Sequence, residues 1–306
     1  MPFSNRWKVP PIAGGYSERR PAPDEHDPAA LRRRTVAEDT PPLAGATSRP
    51  AHSAPPRTRA LDIRIDRKRF ADPSSGIERL VLADVRLELF HGEFVAVIGP
   101  SGCGKSTLLH LIAGLDPAFD GEIRWADTAT GTGPRLGYVF QNPRLLPWLD
   151  VRANVVIGLE DPAGHAARVD ELLAAMDLAE FGHFHPNRLS LGMQRRAALA
   201  RAFVIEPHLL LMDEPFVSLD APTADQLRRL LLDVWGRQRS TVLFVTHDLR
   251  EATMLADRVL FLSACPATIV REVSVDIARE DRFNESRVSA RYADLKRDFD
   301  ALYPPG

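Results

Sequence analysis

Hydrophobic positions along this chain fall into two textures. Phe94-Val95-Ala96-Val97-Ile98, Leu209-Leu210-Leu211-Met212 and Val242-Leu243-Phe244-Val245 are unbroken apolar runs. Such runs predict buried strands, and the second suits the centre of a parallel sheet, covered on both faces. Leu136 to Phe140 and Val259 to Leu262 read as two further strands. Leu61-Asp62-Ile63-Arg64-Ile65 and Val85-Arg86-Leu87-Glu88-Leu89 instead alternate, which predicts half-buried strands. Asp120 to Ile123 reads as a turn into one more strand. Helical spacing takes over at Leu108 to Ala113 and from 151 to about 183, where Val169, Leu172, Leu173 and Met176 form a core stripe. Ser190 is a good N-cap for the alanine-rich run to Phe203, and Arg291 to Tyr303 is a modest amphipathic helix with no assigned role.

The polar residues at the ends of these apolar runs carry the chemistry. After Ile98 comes Gly99-Pro100-Ser101-Gly102-Cys103-Gly104-Lys105-Ser106-Thr107, a Gly-x-x-x-x-Gly-Lys-Ser loop between a strand and a helix. In that context the glycines let backbone amides curl around a phosphate, and the helix N-terminus adds favourable partial charge. Lys105 would neutralise the β- and γ-phosphates, and the Ser106 hydroxyl would ligate Mg²⁺. Leu209 to Met212 delivers Asp213 and Glu214 to the edge where ligands bind in α/β sheets; Asp213 would hold Mg²⁺ and Glu214 would polarise an attacking water. Strand 241–245 ends at Thr246-His247, placing an imidazole at the same edge, and Gln141 follows strand 136–140 as a magnesium or water contact. Paired acids that only cap the next element, a structural histidine and an ordinary surface glutamine are the alternatives.

Composition narrows the classes. The 306 residues hold one large α/β domain or two small ones, and a net charge of −2 gives no reason to invoke nucleic acid or an acidic membrane surface. Cys103 and Cys265 make no disulfide framework, which fits a reducing cytosol. No apolar run approaches the ~18–20 residues that span a bilayer, and no secretory h-region is visible, so a soluble cytoplasmic chain is expected, with docking to a membrane partner still compatible. Residues 1–60, with Pro10-Pro11, Pro41-Pro42, Pro55-Pro56 and Arg32-Arg33-Arg34, read as a disordered tail. A partner-binding or membrane-surface role for Arg32 to Arg34 is its functional alternative. Residues 127–134 read as a polar loop, and Leu145-Leu146-Pro147-Trp148-Leu149 as either a packed loop or a docking knob.

Taken in order, these residues resemble the nucleotide-binding subunits of ABC transporters across roughly residues 61–272. The loop at 99–107 stands for Walker A, Gln141 for the Q-loop, Ser190 to Met193 for the signature and Asp213-Glu214 for Walker B. Ser218-Leu219-Asp220 stands for the D-loop and His247 for the switch. Phe140-Gln141, the Leu145 to Leu149 stretch and Glu214-Pro215-Phe216 look like the nitrate/sulfonate/taurine import branch. The resemblance implies an α/β fold: a P-loop NTPase (RecA-like) core with a mainly parallel sheet, an antiparallel β subdomain and an inserted α-helical subdomain. It places a nucleotide-binding domain at 61–275, with the insertion at about 142–205, and a C-terminal helical tail at 276–306.

It further implies ATP hydrolysis with Mg²⁺ in a head-to-tail homodimer, each ATP held between one subunit's Walker A and Ser190 and Gly192 of the other. Phe70 becomes the residue that stacks on the base, although an aromatic on a strand ordinarily joins the core. Asp220 would communicate across the dimer, while Gln141 and the Leu-Pro-Trp loop would couple the site to a membrane permease. The setting implied is the cytoplasmic face of the plasma membrane, with a periplasmic or extracellular solute-binding protein reached through the complex. A soluble ABC ATPase acting on nucleic acid, an exporter subunit and a non-hydrolysing regulatory module are the competing readings. The first fits poorly with a single ATPase unit that has no heptad run and no basic domain.

Four positions depart from expectation or invite a test. Leu191 stands where the family's signature has its first glycine, and Gln194-Arg195 inverts the usual Arg-Gln pair. Cys103, beside a helix N-terminus and Lys105, is expected to have a lowered thiol pKa and to react with alkylating reagents unless MgATP protects it.

Overall fold

The structure, a computed structural model, describes residues 57–71, 76–126 and 134–304. Nearly all of the expected N-terminal tail and of the polar loop at 127–134 lie outside the described residues.

The alternating segments form β1 (Arg59–Ala71) and β2 (Glu78–Phe90), which pair antiparallel with Ile63 opposite Leu87, while β4 (Asp120–Trp125) flanks β1 on its other side. Burial matches the pattern of the sequence: Leu61, Ile63 and Ile65 are fully covered, and the residues between them face outward.

The unbroken runs make a second sheet. β3 (Phe94–Ile98), β5 (Leu136–Val139), β6 (Leu209–Asp213), β7 (Thr241–Val245), β8 (Arg258–Leu262) and β9 (Ile269–Ser274) lie in the order β5-β6-β7-β3-β8-β9. The first five strands are parallel, and β9 runs antiparallel to β8. Alternate residues of the central strands enter two separate cores. Phe94, Ala96, Ile98, Leu210, Met212 and Phe244 pack with most of the helices. Val95, Val97, Leu211, Leu243 and Val245 pack with the antiparallel sheet and with α1 (Lys105–Ile112), the helix that opens from the glycine loop. Each such side chain contributes about 1.5–3 kcal/mol on burial. A sheet covered on both faces can hold the loops at its carboxyl edge rigidly.

Between β5 and β6 lie α2 (Val151–Val156), α3 (Ala166–Ala175) and α4 (Leu191–Phe203). The stretch read as helical from 151 to 183 is interrupted at 157–165, where Gly158, Pro162 and Gly164 break the pattern. After β6 come α5 (Ala221–Gln238), α6 (Leu249–Leu255) and α7 (Glu285–Leu302). The C-terminal helix is built into the fold: Val288 and Leu295 are buried in the first core, and Arg250 on α6 pairs with Glu285.

Candidate nucleotide site

Five-residue β3 ends at Ile98, and the chain turns through the loop before α1 begins. Gly104 is the N-cap of α1 at φ 119°, and no side chain caps the helix. A Cβ at Gly104 would lie 2.9 Å from side-chain atoms of Val81 and Leu82, so β2 presses directly on the loop and only glycine fits. At Gly102, φ is +72° and a Cβ would meet nothing, so that glycine is explained by its left-handed backbone alone. Gly99 is closed in by Leu262 and the Cys103 sulfur, which a Cβ would approach to 3.0 Å. Lys105 is buried, its Nζ donating to the carbonyls of Gly99 (2.9 Å) and Pro100 (3.0 Å). The ammonium is thereby tethered to the loop whose bound phosphates it would neutralise. Pro100, Ser101 and Thr107 are at least partly open to solvent.

The neighbouring strands bring their polar ends to this loop. Ser106 Oγ donates to Asp213 Oδ1 at 3.0 Å. Asp213 is 7% exposed, and burial holds its carboxyl above the usual range, opposed chiefly by the Ser106 hydrogen bond. A buried carboxylate beside a hydroxyl is a pair of hard oxygen donors. That fits Mg²⁺, which takes one or two protein oxygens and completes its shell with phosphate and water. Among the described residues no group of three or more His, Cys, Asp or Glu converges on a common point. Next along, Glu214 Oε2 lies 3.1 Å from His247 Nδ1. Glu214 takes the left-handed conformation (φ 44°), and its amide donates to the carbonyl of Val245, which fixes it against β7. Val139 is level with Met212 in the β5–β6 pairing, so Gln141, exposed two residues on, lies along the same edge.

The remaining expected residues stand apart. Phe70 ends β1 at 44% exposure with the Lys68 ammonium 4.5 Å from its ring centre, so it is outside the core. Ser190 caps α4 by accepting from the Met193 amide at 3.3 Å, and a Cβ on Gly192 would come within 2.7 Å of the Thr223 methyl. Leu191 is exposed. Asp220 caps α5 through the Thr223 amide, and hydrogen bonding from the Thr223 side chain, then from its amide, holds the carboxyl below the usual range. Among the described residues, no hydrogen bond joins the 189–193 turn to the 99–107 loop.

The expectation for Cys103 is corrected. Its thiol is 1% exposed, and burial pushes its pKa up, outweighing the lowering effect of Lys105. Two further contributors escape a reading of the sequence. Glu251, buried on α6, accepts from Thr246 Oγ1 (2.6 Å) and Arg228 (2.8 Å), tying the residue before His247 to α5. A lone acid among Leu249, Ala252 and Leu255 is its only signal. Fully buried Asn154 staples the Leu-Pro-Trp loop, accepting from the Leu146 amide and donating to the carbonyls of Leu146, Leu149 and Asp150. Trp148 is thereby presented at 69% exposure on a fixed backbone.

With this geometry in place, comparison with known proteins is informative. The ABC transporter family profile matches residues 82–217. The aliphatic sulfonates import ATP-binding protein SsuB 2 of Burkholderia cenocepacia (strain HI2424) is 46% identical over 240 residues, 78% of this chain and 86% of that protein. The SsuB protein of Bacillus licheniformis is 40% identical over 241 residues, 78% of this chain and 92% of that protein. Among solved structures, a dimeric ATP-binding cassette in a post-hydrolysis state with ADP and Pi is 28% identical. It superposes with a TM-score of 0.60 over 71% of this chain and all of its own. A second dimeric structure, of a bacterial ABC transporter cassette, gives 0.61 at 29% identity over the same 71%. The chain belongs to the ABC transporter family as one of its ATP-binding subunits, an ATPase on a P-loop NTPase fold.

Proposed function

We propose that this chain hydrolyses ATP to drive uptake of an aliphatic sulfonate, or a solute of the related nitrate and taurine type, through a separate membrane permease. Support for the solute class comes from the sulfonate-import relatives, and support for pairing of two copies from the dimeric cassettes. The observation that carries the reading is the convergence of Ser106 with Asp213 and of Glu214 with His247 on one sheet edge beside the glycine loop.

Roles are assigned from placement. The loop from Gly99 to Thr107 and the Lys105 ammonium hold the phosphates, and Phe70, exposed at the end of β1, is free to stack on the base. Ser106 and Asp213, with Gln141 nearby, would hold Mg²⁺, which when bound neutralises phosphate charge. Glu214 accepts the proton of the attacking water, and His247 positions that carboxylate and the γ-phosphate. Ser190 and Gly192 serve the nucleotide of the second copy, with Asp220 between the two. The domain runs from about 61 to 275 with its helical insertion at 142–205.

Trp148 on its stapled loop is the contact offered to the permease. Among the described residues no helix is long and apolar enough to cross a membrane, so the membrane-embedded part is assigned to that partner. The chain would work at the cytoplasmic membrane face, with a solute-binding protein on the other side. The test is affinity purification of Glu214→Gln from detergent-solubilised membranes with MgATP. A multi-span permease at near-equal stoichiometry is expected; a soluble or ribosome-bound protein without one would refute the proposal.

A further inference from the structure

The inverted Gln194-Arg195 pair has a structural consequence. Arg195 lies one helical turn beyond Gly192 on α4 and is 5% exposed. Its guanidinium leaves the helical insertion and reaches the backbone between Asp213 and Asp220. Nη1 donates to the Pro215 carbonyl and, at 3.5 Å, to that of Glu214, while Nη2 donates to Val217.

That backbone is unusual. Glu214 (φ 44°) and Ser218 (φ 62°) both take the left-handed conformation that residues with a Cβ seldom adopt, one at each end of the turn. The turn gathers its carbonyl oxygens on one side, where their dipoles oppose one another. Among the described residues, Arg195 is the donor to the Pro215 and Val217 carbonyls. A planar, always-charged fork can serve several carbonyls at once. Lysine offers one point charge, and glutamine two donors without charge.

We propose that Arg195 is a positioning residue: it holds the turn that aims Glu214 at His247, and so makes the helix beginning at Ser190 and the chain's own carboxylate move together. The proposal rests on the reading of Glu214 as the base. Since Ser190 and Gly192 serve the partner's nucleotide, one guanidinium would then link the two sites of the dimer. An arginine that merely fastened the helical insertion to the core would make the same contacts. It would, however, affect folding and ATP binding in step with catalysis.

The test uses the full chain with Arg195→Met, which keeps the length and removes every donor, and Arg195→Lys. Hydrolysis is followed alongside ATP affinity, measured with a non-hydrolysed analogue, and amide exchange across 214–218. The expected result is a fall in kcat of about tenfold or more for Arg195→Met. ATP affinity should hold within about twofold, and exchange should be faster across 214–218 but not along α1. Either variant with kcat within about twofold of the parent would overturn the proposal. So would loss of ATP affinity and melting temperature in parallel with kcat, or failure of both variants to fold, because each assigns Arg195 to stability alone. Hydrolysis that survives Glu214→Gln would refute the base itself, whatever Arg195 does.

Discussion

The N-termini of α1 and α4 are both assigned to anions, yet they are built differently. α1 starts at Gly104 with no capping side chain, under a strand that excludes any Cβ, and Lys105 is folded back onto the loop carbonyls. Its first-turn amides have no side-chain oxygen to satisfy them, a costly arrangement unless a ligand supplies the acceptors. α4 starts at Ser190, whose hydroxyl already accepts from Met193. One first-turn amide of that terminus is therefore satisfied without a ligand. On the function proposed above, the difference fits one site made for tight, primary phosphate binding and the other for a weaker contact made when two copies close.

The comparison breaks most sharply at Lys105. Lys105→Met should lower ATP affinity about 100-fold or more, since charge-assisted bonds to two phosphates contribute roughly 1.5–3 kcal/mol each; a nucleotide titration reads this directly. Ser190→Ala should leave affinity for a single copy within about twofold while weakening closure of the pair about tenfold, along with ~1 kcal/mol of stability from the lost cap. Equal effects of the two variants on ATP binding would erase the distinction.

Asp213 sharpens the picture through pH. Its folded carboxyl titrates above its ordinary value of 3.8, so the folded state holds more protons than the unfolded one between those two values. Stability therefore falls as pH rises through that window. Asp213→Asn should melt higher than the parent at neutral pH without nucleotide, the gap closing at low pH, while hydrolysis falls about tenfold or more. A variant that melts lower at neutral pH would show that the carboxylate stabilises the empty fold.

Smaller effects are expected at Leu191 and Cys103. Leu191 is exposed beside the Ser190 cap, so Leu191→Gly should change hydrolysis by less than about tenfold (~1.4 kcal/mol); a larger gain would mean that the native signature is impaired. Cys103, buried against Gly99, should be alkylated slowly at neutral pH with or without MgATP. Rapid labelling that MgATP blocks would restore the expectation drawn from the sequence.

The same contrast explains what is legible in the sequence. Five-residue apolar runs admit little but buried strands, so β3, β6 and β7 can be read directly, and with them the edge where Ser106, Asp213, Glu214 and His247 meet. Placement that depends on long-range packing is not visible there. Local pattern makes Phe70 a core residue and Cys103 a reactive one, whereas the ends of strands and the underside of a loop decide exposure. The gap at 157–165 is signalled by Gly158, Pro162 and Gly164 but obscured by the surrounding helical spacing. α7 packs Val288 and Leu295, with Tyr292, Phe299 and Leu302, against the first core; that spacing marks an amphipathic helix in the sequence, but not the elements it docks on. Arg195 stands out as half of an inverted pair, but its carbonyl partners at 215 and 217 lie in another part of the chain.

The central claim is that Ser190 and Gly192 complete a site begun by another copy's glycine loop. The most direct measurement is the mass in solution of Glu214→Gln with and without MgATP, in that background alone and with Ser190→Ala and Gly192→Leu added. A dimer that forms only with MgATP and is lost on adding those substitutions is the predicted result. A chain that stays monomeric with MgATP, or a dimer indifferent to nucleotide and to the α4 substitutions, would contradict it.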